Sequence, residues 1–183
     1  NVLSVVGMLL AIVAILGFIF TNKLTTLIAP GFAGDTKILA INFTRIMFLS
    51  PFFLGISMVL GGILQSLKQF IIYSLAPIAY NIGIILGTVV LTRTSLGVYG
   101  LAWGVVLGSA FHAGIQLYGA HTAGWRWRPV FDLKDLETRL IGKLMIPRTI
   151  GLAVSQFNAV IITIFASYLA SGSITVYNLA NNL

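Results

Sequence analysis

The sequence predicts an all-α polytopic membrane protein, and three observations carry that prediction. Charged residues are 8% of the 183-residue chain, 11 Lys/Arg against 4 Asp/Glu, where a soluble domain carries about 25%. Mean hydropathy is +1.00, and 58% of the residues are hydrophobic. The few charges are separated by apolar runs long enough to cross a bilayer. So few charges cannot cover a soluble surface, which excludes a cytosolic enzyme, a nucleic-acid module and a disordered chain. The net charge of +7 is too dispersed to track a phosphate backbone, so no nucleic-acid partner is expected. There is no Cys, and the redox compartment therefore leaves no mark. The chain opens without Met inside an apolar run and reads as a piece of a longer protein.

Roughly 20 apolar residues cross a bilayer as a helix. Residues 1–22 carry no charge, and further runs lie at 46–67, 69–92 and 98–119. A fifth opens after Arg148 and stays apolar to about Ala170. There Ser171-Gly172-Ser173 reads as a turn, and another helix starts at Ile174. Five spans and the start of a sixth result. Backbone groups in lipid must be paired within the segment, so the spans are helices.

Orientation follows from the Lys/Arg positions. Alternate connections place Lys23, Lys37, Arg45 and Arg93 on one side. Lys68, Arg126, Arg128, Lys134, Arg139, Lys143 and Arg148 fall on the other. The more basic side is expected to be cytoplasmic. Most of its charge lies in 121–146, the one long hydrophilic stretch. Trp125-Arg126-Trp127-Arg128 alternates aromatic and basic residues, as suits a membrane–water interface. From Phe131 onward, Leu133, Leu136, Leu140 and Leu144 share one helical face. Acidic residues come early and basic ones late, in the sense that favours a helix dipole. An interfacial amphipathic helix is the reading, with Pro147 in the first turn of the next span. The expected organisation is 1–120 with four spans, 121–146 as linker, and 147–183 with the fifth span and the start of the next.

Within the spans, Gly83 and Gly87, and Gly100, Gly104 and Gly108, recur at four-residue spacing. Such small-residue steps let helix backbones approach, either as static packing or as a sliding surface. Pro51 and Pro77 each remove a backbone donor and can kink a helix. Polar residues at depth are costly and carry more weight. His112 and Gln116 lie four apart on one face, suiting a cavity or an interhelical hydrogen bond. Thr149, Gln156 and Thr163 recur every seven residues, followed by Ser167, and form a polar stripe that lines a path or bonds a neighbour. Arg45 and Arg93 sit at expected outer span ends, where snorkelling suffices. Arg148 sits at an inner end, within reach of an anionic headgroup. No paired acid and base, Cys nucleophile, phosphate loop or zinc-spaced His pair is present, so neither enzymatic catalysis nor a metal site is expected. The residues alone are compatible with a transporter, a channel or a membrane scaffold.

Several stretches add up to a family. Arg45-Ile46, then Pro51 and Gly61-Gly62-Ile63-Leu64-Gln65, are similar to the fourth helix of the MurJ/MviN lipid II flippases. Leu75-Ala76-Pro77 with Tyr80-Asn81 resembles the fifth, and Leu101-Ala102-Trp103-Gly104-Val105 the sixth. Ser155-Gln156, Thr163 to Ser167 and Leu169 to Ser173 resemble the seventh and its outer turn. Ala29-Pro30-Gly31-Phe32-Ala33 resembles the end of the third. The ordered set covers essentially the whole chain.

The resemblance implies part of a two-lobed, fourteen-helix exporter fold, covering about helices three to eight, in the bacterial cytoplasmic membrane. It implies flipping of lipid II, an undecaprenyl-diphosphate-linked precursor, to the outer leaflet by alternating access for peptidoglycan and cell wall synthesis. Lipid II, membrane lipids and the cell-wall synthesis machinery are the implied partners. Alternatives are export of another polyprenyl-linked glycan, or a non-transporting cell-wall scaffold. No cofactor is expected. Some members carry an Asp or Asn in the seventh helix as a cation ligand. Ile162 stands at that position, with Asn158 one turn away, so monovalent-cation coupling finds no support there. The family's eighth helix opens with an acidic residue or Asn and then a cavity Arg, where Asn181 and Asn182 stand here. Cargo or cavity candidates are thus Arg45, His112, Gln116, Arg148, Thr149, Gln156, Asn158, Thr163, Asn181 and Asn182.

Overall fold

A computed structural model describes residues 1–132, 134–169 and 172–181. Among these, every regular element is a helix. The order is α1 Val2–Ile28, α2 Gly34–Met47, α3 Leu49–Ser66, α4 Phe70–Val89, a 3-10 turn Leu91–Arg93, α5 Tyr99–Thr122, α6 Leu136–Ser167 and α7 Ser173–Asn181. Five stretches are long and apolar enough to cross a membrane: Val2–Ile28, Gly34–Ser66, Phe70–Arg93, Tyr99–Thr122 and Leu136–Ser167. The chain is an all-α polytopic membrane protein, as its charge gaps predict.

Helix ends overrun those gaps. Helix α1 passes Lys23 and continues to Ile28, and the second stretch starts at Gly34 rather than at 46. Arg45 therefore stands in the last turn of α2, and not at a helix start. A charge gap measures the length that lipid tolerates, whereas a helix continues until its hydrogen bonds are interrupted. Here the interruptions are Pro30 and the left-handed Gly34, φ +55°. Pro51 sits in the first turn of α3, where its missing N–H is one of the orphan donors. The interfacial helix expected from Phe131 begins at Leu136, and Leu133 lies outside the described residues. No break separates it from the fifth span, because α6 runs through Pro147. One proline deletes one hydrogen bond and need not end a long helix. The start of α6 is set by Asp135, whose carboxylate accepts the Thr138 N–H at 3.0 Å and the Thr138 hydroxyl at 2.6 Å.

The chain forms two compact units. One comprises Asn1–Ile19 and Phe43–Leu133. In it α4 and α5 meet glycine to glycine. A Cβ on Gly87 would overlap the Cα of Gly104, and one on Gly83 would overlap the Cα of Gly108. In the reverse direction, a Cβ on Gly104 would stand 2.7 Å from the Gly87 Cα, and one on Gly108 2.5 Å from the Tyr80 carbonyl oxygen. The small-residue steps are thus a packed seam. Leu60, Leu64 and Ala120 form a fully buried cluster, flanked by Leu3, Ile56, Ile63, Ile72 and Trp125. Helix α5 ends with Gly124 at φ +92°, the Trp125 N–H bonded to the Ala120 carbonyl at 3.0 Å and the Gly124 N–H to His121 at 3.2 Å. That 6→1, 5→2 pattern caps the last carbonyls and turns Trp125 onto the cluster. Helix α3 closes the same way, Gln69 to Leu64 at 2.8 Å and Lys68 to Gln65 at 3.0 Å, with Lys68 at φ 57°.

The other unit comprises Phe20–Asn42 and Lys134–Leu183. The loop after α1 meets the end of α6 there. The Gly31 N–H donates to the Ser167 hydroxyl at 3.1 Å, and that hydroxyl donates to the Ile164 carbonyl at 2.7 Å. A Cβ on Gly31 would overlap the Ser167 carbonyl, so only glycine fits. Gly172, at φ +94°, supplies the turn read from the sequence; Ala170 and Ser171 lie outside the described residues.

The seam gives a test of sign. Gly87→Ala places a methyl in the α5 backbone and is expected to cost about 1–3 kcal/mol, the usual range for overpacking. Gly114→Ala, on α5 with open space around its Cα, is expected to gain up to about 1 kcal/mol from helix propensity. Unfolding titrations in mixed micelles read both; equal effects would remove the seam from the account.

Candidate functional site

The polar side chains of α5 meet α3 in the middle of the first unit. Ser57 is fully buried on α3, and Gln116 on α5 is 2% exposed. The Ser57 hydroxyl donates to Gln116 Oε1 at 2.8 Å and lies 2.5 Å from His112 Nδ1. A hydroxyl has one proton. With it spent on Gln116, the bond to His112 is made when Nδ1 carries a proton. The Tyr80 ring of α4 stands edge-on to the imidazole, centroids 6.4 Å apart at 88°. Gly61 admits the arrangement, since a Cβ there would press on Tyr73 at 3.1 Å and on Gln116 at 3.4 Å. Three helices thus converge on one hydrogen-bonded cluster. Nothing in α3 or α4 is charged, so a cationic His112 would find no counter-ion there.

His112 and Gln116 are brought together as their spacing implies, and they form an interhelical hydrogen-bond cluster. Their partner Ser57 is missing from the sequence-based candidates, although it too is a polar residue within a charge-free run. Arg45 is half-buried, its guanidinium 5.8 Å from the Phe18 ring centroid and its Nε buried with no hydrogen-bond partner. The remaining described candidates belong to the second unit. Arg148, Thr149, Gln156 and Asn158 are exposed along α6 in the second unit. Thr163 is spent on its own helix, bonded to the Ala159 carbonyl at 2.8 Å. Ser167, last of the predicted stripe, is the clamp on Gly31. Ile162 is partly buried. The side chain of Asn181 and the whole of Asn182 lie outside the described residues.

Interhelical hydrogen bonds in membranes average about 0.6 kcal/mol and reach about 1.7. A double-mutant cycle of Ser57→Ala and Gln116→Leu is expected to show coupling in that range, measured by unfolding in mixed micelles. A cycle that closes with no coupling would show that the two side chains do not share a bond.

The family profile described as "Lipid II flippase MurJ" matches residues 1–183. Among curated relatives, the lipid II flippase MurJ of Burkholderia cenocepacia is 28% identical over 98% of this chain and 36% of its own length. The probable lipid II flippase MurJ of Buchnera aphidicola subsp. Acyrthosiphon pisum is 31% identical over all of this chain and 36% of its own. That of Vibrio cholerae is 31% identical over 92% of this chain and 34% of its own. The chain spans about a third of the length of these relatives. With a profile matched from the first residue to the last, on a string of membrane-crossing helices in the expected order, the chain belongs to the lipid II flippase MurJ family.

Proposed function

We propose that the chain is part of a flippase that carries lipid II from the cytoplasmic to the outer leaflet of the bacterial inner membrane. The observation that carries this reading is the family match over all 183 residues. The chemistry of the chain is consistent with it. Lipid II has a charged diphosphate and a polar glycopeptide, so its headgroup needs a path that lipid tails do not fill. Gln156 and Asn158 are exposed midway along α6, and polar side chains at that depth call for water or a polar partner. In this reading they face the headgroup path, with Arg148 and Thr149 near its cytoplasmic mouth. The packed α4–α5 seam makes those helices move as one body. Rocking of such bodies around a fixed path is alternating access. Cell-wall synthesis enzymes are the natural suppliers and consumers of the cargo.

Rescue of a bacterium depleted of its own lipid II flippase tests the reading. The full-length gene containing this segment is expected to restore growth and shape; failure despite membrane expression would overturn it. In the rescuing protein, Gln156→Leu with Asn158→Leu is expected to lower lipid II translocation while leaving membrane levels unchanged. The 183-residue chain alone, reconstituted in vesicles, is expected to flip no lipid II. Translocation by it would show that the path needs no further helices.

A further inference from the structure

A built apolar slot lies in the first unit, away from the polar cluster. It has a volume of about 440 Å³ and runs between α1, α3 and α5, walled by Leu3, Gly7, Ala11, Phe52, Leu117 and Trp127 among others. From Leu3 to Ala11 it follows two turns of α1, a depth of about 12 Å at 1.5 Å per residue. Its one polar wall residue, Ser4, is 4% exposed, and its hydroxyl accepts the Trp127 indole N–H at 3.2 Å. The slot therefore presents almost only hydrocarbon.

The mouth is fastened in place. Asn1 on the α1 end and Asp132 bond twice, Asn1 Nδ2 to the Asp132 carbonyl at 2.7 Å and the Asp132 N–H to Asn1 Oδ1 at 3.0 Å. With the Ser4–Trp127 bond, this holds 127–132 across the start of α1. Arg126 and Arg128 flank Trp127 and are exposed. Arg126 uses one nitrogen on the His121 carbonyl at 2.8 Å and on the Trp125 carbonyl at 3.4 Å, leaving other donors of its fork open. Two guanidiniums stand against the one carboxylate of Asp132. The order from mouth to depth is thus cations, an indole and then hydrocarbon, which matches phosphate, glycerol and acyl chain in a lipid.

We propose that this slot holds one acyl chain of an anionic phospholipid from the leaflet on the basic side, with its phosphate at Arg126 and Arg128. The lipid is a resident of the fold, distinct from any cargo. Gly7 makes the slot testable, because a Cβ built there meets nothing within 4 Å. Gly7→Leu extends an apolar side chain from this wall of the slot, and its helix propensity favours α1.

Native mass spectrometry of the purified full-length protein containing this segment, loaded with phosphatidylglycerol or phosphatidylcholine of matched chains, reads the site. The wild type is expected to retain one phosphatidylglycerol about fivefold more than phosphatidylcholine, the preference due to one net basic charge at the surface. Arg126→Gln with Arg128→Gln is expected to equalise the two lipids. Gly7→Leu is expected to lose both, with helix content and melting not lowered by circular dichroism. Retention by Gly7→Leu equal to the wild type, no headgroup preference in the wild type, or a second copy of the chain held in place of lipid would each overturn the proposal. None of these outcomes depends on lipid II transport, so the site and the flippase reading fail separately.

Discussion

Inside a bilayer a donor or acceptor without a partner has no water to turn to, and most of this structure follows from that constraint. Backbone groups satisfy it by forming helices. Side chains satisfy it by finding one another, or by bonding back to their own helix. Ser57, His112 and Gln116 take the first course; Thr163, and Ser109 with its bond to the Val106 carbonyl at 2.7 Å, take the second. Helix ends are where the constraint is hardest to meet, because four carbonyls are left over. The matching caps at Lys68–Gln69 and Gly124–Trp125 meet it with backbone alone. At Lys68 the need overrides the preference of an L-residue against positive φ.

Apolar burial cannot hold such helices together, since lipid tails are as apolar as leucine. Close approach has to serve instead, and it needs residues without side chains. That explains why the tightest seam is Gly83 and Gly87 against Gly104 and Gly108, and why the polar cluster sits beside it. Gly61 admits Gln116 toward Ser57 just as Gly87 admits α5 toward α4. Glycine spacing and polar pairing are two uses of one device, a backbone brought near enough for short-range forces to act.

Much of the fold is legible in the sequence for the same reason. Only 15 charges are distributed over the chain, and a charge in lipid is costly, so the gaps report the spans. The gaps do not report helix ends, because a helix continues past a charge wherever its backbone hydrogen bonds are kept, as α2 does through Asp35, Lys37 and Arg45. Pro147 misleads in the opposite direction, since one lost hydrogen bond is a smaller event than ending a helix of 32 residues. The candidate cluster is half legible. Spacing pairs His112 with Gln116 because both are on one helix, but it cannot pair them with Ser57, 55 residues from His112. Such a partner is set by the crossing of α3 and α5, which is a property of packing. The clasp of Asn1 with Asp132, 131 residues apart, is hidden for the same reason.

These constraints bear on how a protein of this family could change shape. A seam in which an added methyl would overlap backbone does not yield by small amounts, so α4 and α5 move together or not at all. The hydrogen bonds of Ser57 likewise tie α3 to α5. Movement is then left to segments with fewer such ties. Helix α6 is one: Leu152, Val154 and Phe157 are each at least 60% exposed, and Pro147 interrupts its ladder once. Its end is held to the α1–α2 loop through Gly31 and Ser167. The seam and the Ser57 bonds thus stiffen the first unit by itself, whereas α6 in the second carries a proline inside its ladder.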